Sequence, residues 1–309
     1  MSLYDNTIGV SLIIHKFGNS QGVDKDTLRH VMPDVSEAAL REYLHTTRKL
    51  VVAEEFQAIN TLDTAFMAWV KQQSVPSHFR GGIYLVPEAF IQELWQRVKE
   101  YEAQRQELVE RLGEVWEQRW QESQAATAGQ FGWLPCPDWG KVSGRFWVDC
   151  QTVTIDVPGR LQYIMPKEYE SMQLAMRERL VQVERDIEVM LLSEACAQTE
   201  VLLKRLQGLG DGTTKKFFSS HVTGLQEWCR VFIAGRNVTG YAELEQQAKQ
   251  LGGVLEQIVG AGGSVPVEVL RNNGAYREYI VGQLQEIGGV LQGMVENAPV
   301  RVIALDDLE

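Results

Sequence analysis

A chain of 309 residues with 44% hydrophobic and 23% charged side chains has the composition of a folded protein, which excludes wholesale disorder. Its 41 acidic residues outnumber 30 basic ones, and the resulting net charge of −11 opposes broad, sequence-independent binding to duplex DNA. Cys136, Cys150, Cys196 and Cys229 are scattered without any Cys-x-x-Cys spacing, the pattern of reduced thiols in a cytoplasmic protein.

Ile8, Val10, Leu12 and Ile14 alternate with Gly9, Ser11, Ile13 and His15, a period of two that predicts a half-buried strand over 8–14. This run lacks the basic leader and small-residue cleavage site of a signal peptide. No stretch approaches the roughly 18 consecutive apolar residues of a membrane span. A cytoplasmic location without membrane contact is expected. Residues 18–22 (GNSQG) break the strand. Short helices are expected at 24–31 and after Ser36, which has Glu37 in the first turn to complement the helix dipole. A β-leaning stretch at 46–52 follows. Phe56, Ile59, Leu62, Phe66 (or Met67) and Val70 then recur every three or four residues, an amphipathic helix within 53–73.

After the loop 75–82 (VPSHFRGG) comes a short strand at 83–86, then the dominant feature of the chain. Residues 87–126 and 166–207 are two charged, near-uninterrupted helical stretches. Each opens on a proline and is followed by glycines, the usual punctuation of helices. At 1.5 Å per residue each is a rod of roughly 60 Å. In the first, Leu94, Val98, Tyr101, Leu108, Leu112 and Val115 form a coiled-coil-like seam interrupted only by Arg105. In the second the seam is Tyr169, Met172, Met176, Leu180, Val183, Ile187 and Met190. Matched spacing predicts that the rods pack antiparallel, along the seams containing Leu108 and Val183. Between them lies an aromatic insertion at 127–165, with a strand signal over 145–157 (RFWVDCQTVTIDV). Helices at 214–234, 241–259 and 267–296 and a strand at 300–305 (VRVIAL) complete the chain. The expected fold is mainly α with a small β-sheet (α+β). Residues 1–86 and 208–309 make a helical body, and 87–207 a helical hairpin.

Chemistry-bearing motifs are incomplete throughout. His15, His30, His45, His78 and His221 are far apart, none with zinc-ligand spacing, and read as surface or capping residues. Glu107, Glu110, Glu114 and Glu117 stack on one helical face, but without the Glu-x-x-His of di-metal bundles they read as a solvated face. Residues 208–216 (GLGDGTTKK) place threonine before lysine, the reverse of a phosphate loop. Neither a metal nor a cofactor is expected, and the chain reads as non-enzymatic.

Three runs, 53–79 (AEEFQAINTLDTAFMAWVKQQSVPSHF), 80–112 (RGGIYLVPEAFIQELWQRVKEYEAQRQELVERL) and 299–309 (PVRVIALDDLE), resemble a bacterial and phage family, a domain of unknown function. Its members are often encoded beside MoxR-type AAA ATPases and von Willebrand A proteins. The most specific stretch is Phe79-Arg80-Gly81-Gly82-Ile83-Tyr84-Leu85. The resemblance supplies no catalytic residues. It implies a protein partner, such as that ATPase or von Willebrand A protein, in an ATPase-linked or mobile-element system.

Two surfaces suit such docking. Phe79, Arg80, Gly81 and Gly82 lie in a loop, where binding residues concentrate. Trp133, Trp139, Arg145 and Trp147 lie in the aromatic insertion, which reads first as the core of the hairpin end, second as a protein interface, since Trp and Arg are enriched among residues that dominate binding energy, and third as a platform for unpaired bases. The alternative reading is a nucleic-acid-associated subunit of a phage or defence complex. Lys204, Arg205, Lys215, Lys216, Arg230 and Arg236 would then converge as a basic surface around one turn. A hydrolase ranks third.

Overall fold

The computed structural model describes residues 6–23, 28–29, 34, 36, 47–77, 81–126, 135–154, 156–208, 219–259 and 267–298. The strand expected at 300–305 and most of the helices expected at 24–31 and after Ser36 lie outside the described residues.

Helices dominate and a small sheet accompanies them, so the α+β class read from the sequence holds. β1 (Thr7–His15) realises the alternation of its sequence, with Val10 and Leu12 buried. The sheet runs in the order β4 (Val75–Pro76), β5 (Ile83–Pro87), β1 and β6 (Trp147–Val153). β4 and β5 are antiparallel, with Val75 opposite Leu85. β2 (Ser20–Gly22) and β3 (Thr47–Lys49) form a separate antiparallel ribbon, with Gln21 opposite Arg48. β6 is shorter than the strand signal at 145–157. Its first two residues are taken by a turn, in which the amides of Arg145 and Phe146 donate to the carbonyls of Val142 and Ser143.

The two rods are present as α2 (Glu88–Ala126) and α5 (Pro166–Gln207), preceded in the chain by α1 (Glu54–Gln73). α3 (Trp139–Ser143) and α4 (Leu161–Ile164) are short turns between the rods, the former capped by the Asp138 carboxylate, which accepts from the Lys141 amide. α6 (Ser219–Val231) runs into a π-turn at Phe232–Arg236, and α7 (Ala242–Val259) follows. The helix expected over 267–296 is two, α8 (Val267–Asn272) and α9 (Gly274–Asn297). Asn273 divides them because its side chain accepts from the Tyr276 amide and so caps α9.

The chain divides into two compact units, one of Ser11–Val70 and Gln92–Gln151, the other of Met1–Val10, Lys71–Ile91 and Thr152–Glu309. This differs from the expected body at 1–86 and 208–309 with a hairpin at 87–207, since the rods belong to different units. Matched spacing between the rods is not what buries their seams. In the first unit Leu108 joins a core of Phe56 and Ile59 from α1, Leu112, Trp116 and Trp120 from α2, and Phe146. In the second, Val183, Ile187 and Leu191 sink into a core with Leu225, Leu255 and Leu284 from α6, α7 and α9. The buried face of α2 adds Trp116 and Trp120 to Tyr101 and carries Arg105, and it matches the face of α1, which offers aromatics and a carboxylate.

Gly113, in the middle of α2, is where the tight packing of the first unit is most exacting. A Cβ there would lie 2.5 Å from Trp139 Nε1. That indole is itself held against Trp116, at 5.6 Å between centroids. Gly113→Ala is therefore expected to destabilise by about 1–3 kcal/mol, although alanine is the better helix former by about 1 kcal/mol. Gly224→Ala, in α6 with nothing within 4 Å of the added atom, should instead stabilise by about 0.5–1 kcal/mol. Chemical denaturation of both variants checks the opposite signs.

Candidate functional site

Two buried arginines anchor the units from within. In the first unit, Arg105 of α2 is 3% exposed and faces Asp63 of α1. Its Nε donates to Asp63 Oδ1 at 2.9 Å, and one Nη2 donates to the His15 carbonyl at 2.8 Å. The Tyr101 hydroxyl also donates to Asp63 Oδ1, at 2.7 Å. Phe146 lies under the guanidinium at 5.6 Å. Burial and the hydrogen bond to Asp63 push the Tyr101 phenol well above its ordinary range, so it stays a donor.

In the second unit Arg236 is the buried cation. The π-turn at the end of α6 brings it to Glu194 of α5, to which Nη1 and Nη2 donate at 2.6 and 3.1 Å. Its Nε donates to the Ser74 carbonyl at 3.0 Å, and the Trp228 indole donates to the same carboxylate at 3.2 Å. Every charge here meets a partner, as a buried ion must. Such pairs set register and position.

Cysteine chemistry is equally restrained. Burial pushes the Cys229 thiol up to about 12. Burial, with Glu102 and Asp149 adding, pushes Cys150 up to about 11. Cys136 and Cys196 are also raised, chiefly by burial. A nucleophilic cysteine needs the opposite shift. Among the described residues no three His, Cys, Asp or Glu side chains gather as a metal site. None of the described helices is long and apolar enough to cross a membrane. An open groove of about 420 Å³ runs along α5 and α9 beside Glu188 and Tyr241, and burial raises both of those groups.

The candidate docking residues separate. Phe79, Arg80 and Trp133 lie outside the described residues. Gly81 and Gly82 are exposed, and Gly82 adopts φ +81°, the left-handed conformation that a side chain resists. Trp139 is half-buried against Gly113 and Trp116, a packing position. Trp147 and Arg145 form an exposed surface with His15, which the sequence reading set aside as a surface or capping residue. The Trp147 ring, 43% exposed, stacks on His15 at 5.0 Å and 1° between planes. His15 Nδ1 donates to the Arg145 carbonyl at 2.9 Å, which holds its ring in place.

The basic surface fares differently. Arg236 is buried and paired to Glu194, so it cannot meet a phosphate. Lys204 pairs with Glu200, and Arg230 with Glu227. Arg205 is half-buried, and Lys215 and Lys216 lie outside the described residues. The pull of α5 and α6 charges onto neighbouring carboxylates one turn away is what the acid excess of the chain makes available.

No family model, no curated protein and no solved structure matches this chain.

Asp63→Ala should cost about 3–5 kcal/mol, because it leaves the Arg105 charge buried without a counter-ion. Arg105→Lys keeps the charge but cannot span Asp63 and the His15 carbonyl, and should lose part of that amount. Urea titration of both variants reads the difference. The thiols give a pH test. A thiol ordinarily ionises near 9.0, so the folded chain holds the Cys229 and Cys150 protons more tightly than the unfolded one. Their contribution to stability is complete below about pH 9 and is lost as pH rises toward the folded values. Melting curves between pH 8 and 12 should fall, and less steeply in Cys229→Ala. At pH 8 a thiol reagent should label exposed Cys136 first and reach Cys229 only on unfolding.

Proposed function

We propose that this chain is a non-enzymatic interaction protein, an accessory subunit of a MoxR-type ATPase-linked or phage and mobile-element system. The partner class comes from the sequence resemblance of 53–112 and 299–309. The observation that carries the docking reading is the stacked pair of His15 and Trp147 beside Arg145. β6 ends the four-stranded sheet, and Trp147 stands at its start. An exposed indole already held flat by a second ring loses little conformational freedom on binding, which is what lets a single aromatic anchor an interface.

The other half of the argument is what the charged groups do. The buried cations Arg105 and Arg236 are paired with Asp63 and Glu194. That arrangement supports a stiff scaffold. Arg236 no longer belongs to a basic surface, and this weighs against the nucleic-acid reading.

The test is capture of a separately purified MoxR-type ATPase or von Willebrand A protein. Trp147→Ala should weaken binding by about tenfold or more, the scale of an interface anchor, with circular dichroism and melting temperature unchanged. Undiminished binding by a folded Trp147→Ala and Arg145→Ala double variant would remove this surface from the reading.

A further inference from the structure

β6 is the last strand of its sheet, and an end strand bonds on one side only. Alternate residues of β6 therefore turn their amide and carbonyl groups to the open side. Among the described residues no loop or helix backbone bonds to 147–151, the part of β6 in the first unit. No residue of the strand is buried. The opposite end of the sheet shows how an edge is closed. β4 is two residues long and includes Pro76, which has no amide to offer. β6 runs for seven residues (WVDCQTV) without a proline, glycine or lysine to discourage a neighbour.

The rings at the start of β6 indicate what that neighbour is. His15 and Trp147 lie 5.0 Å apart and 1° from parallel. Adjacent strands are about 4.8 Å apart, so the stack runs from strand to strand along the hydrogen-bonding direction. His15 on β1 is one layer and Trp147 on β6 is the next. The far face of the indole, on a residue 43% exposed, is turned to the place where a further strand puts a side chain. Asp149 stands two positions on, along the same face of β6. Gln151 Nε2 donates to both of its carboxylate oxygens at 3.0 Å, and among the described residues no cation pairs with it. A strand beside β6 completes both positions, with a flat or apolar side chain against Trp147 and a lysine or arginine against Asp149.

We propose that the open edge of β6 over 147–151 takes up an extended segment of a partner protein as a fifth strand, with an apolar residue against Trp147 and a basic one, two positions away, against Asp149. Resting on the docking reading of Trp147, this makes the main chain the source of affinity and the two side chains the source of register.

Selection of random displayed peptides of about ten residues against the full chain tests this. Enriched peptides should carry an apolar or aromatic residue and, two positions away, lysine or arginine. The best of them, made synthetically, should bind about tenfold or more weakly to Trp147→Ala and to Asp149→Lys, each with unchanged circular dichroism. Peptide N-methylation separates strand addition from side-chain docking. Methyl groups on the alternate amides of one edge should abolish binding, and on those of the other edge should leave it intact. In the complex, every second amide within 147–151 should gain protection from hydrogen exchange. A selection that yields no peptide sensitive to Trp147→Ala overturns the proposal, as does a peptide indifferent to methylation on either edge. A chain that instead dimerises through Trp147 assigns the edge to a second copy and overturns it too. A MoxR-type ATPase or von Willebrand A protein that needs Trp147 but does not compete with the peptide keeps the docking reading and overturns strand addition as its mode. A peptide that adds as a strand while neither of those proteins binds upholds the edge and removes that choice of partner.

Discussion

A buried guanidinium is the constraint on which each unit depends. Taking an arginine out of water costs several kcal/mol unless its charge finds partners, and Arg105 finds them in three places along the chain at once: a carboxylate, a carbonyl and an aromatic ring. The carboxylate is on α1, the carbonyl at the end of β1, and Phe146 follows the α3 turn. Apolar packing alone tolerates sliding of one helix past another by a turn, but a fork bonded to Asp63 and to His15 does not. Arg236 plays the same part in the second unit, joining the π-turn, α5 and the backbone at Ser74. Each unit therefore contains a long helix whose position is set by one Arg–carboxylate pair and whose stability comes from the aliphatic and aromatic residues around it.

How much of this was legible in the sequence follows from which interactions are local. The rods, α1, α6 and α7 were readable because helical periodicity is written within a few residues. Arg105 was visible as an interruption of its seam. Asp63, four residues after Ile59 on the apolar face of α1, was the matching signal, but 42 positions separate the two and nothing local joins them. Arg236 was misread as surface charge because the π-turn that rotates it inward has no composition of its own. The break at Asn273 was missed for a similar reason: the residues on either side are periodic, and one side-chain cap decides. At the candidate surface, Trp147 was legible as an aromatic outside helical pattern. Its stack on His15 depends on strand pairing between segments 132 residues apart and could not be read.

The rods themselves show why matched spacing is a weak guide to pairing. Four-and-three periodicity says that a helix has one apolar face, not what covers it. The face of α2 carries Tyr101, Arg105, Trp116 and Trp120 and needs a partner with an acid and aromatics, which α1 provides through Asp63 and Phe66, the latter stacked on Tyr101 at 4.0 Å. The face of α5 beyond Val183 is aliphatic and small, with Leu191, Ala195, Thr199 and Leu202 buried, and suits the close approach of α9. Side-chain chemistry along the seam, not its period, sorts the two.

The first part of α5 then poses a question of stability. A helix of about 17 residues in isolation is marginal in water, because the first turn fixes several residues for one hydrogen bond. Here nucleation is already accomplished: the same helix continues without interruption to Gln207, and its second half is locked into the core by Ile187, Leu191 and Leu202. Propagation backward from a fixed end adds one hydrogen bond per residue, and Pro166 at the first position ends it where an amide would have no partner. Residues 166–182, none of which is fully buried, are consequently held helical by the core that follows them in the same helix.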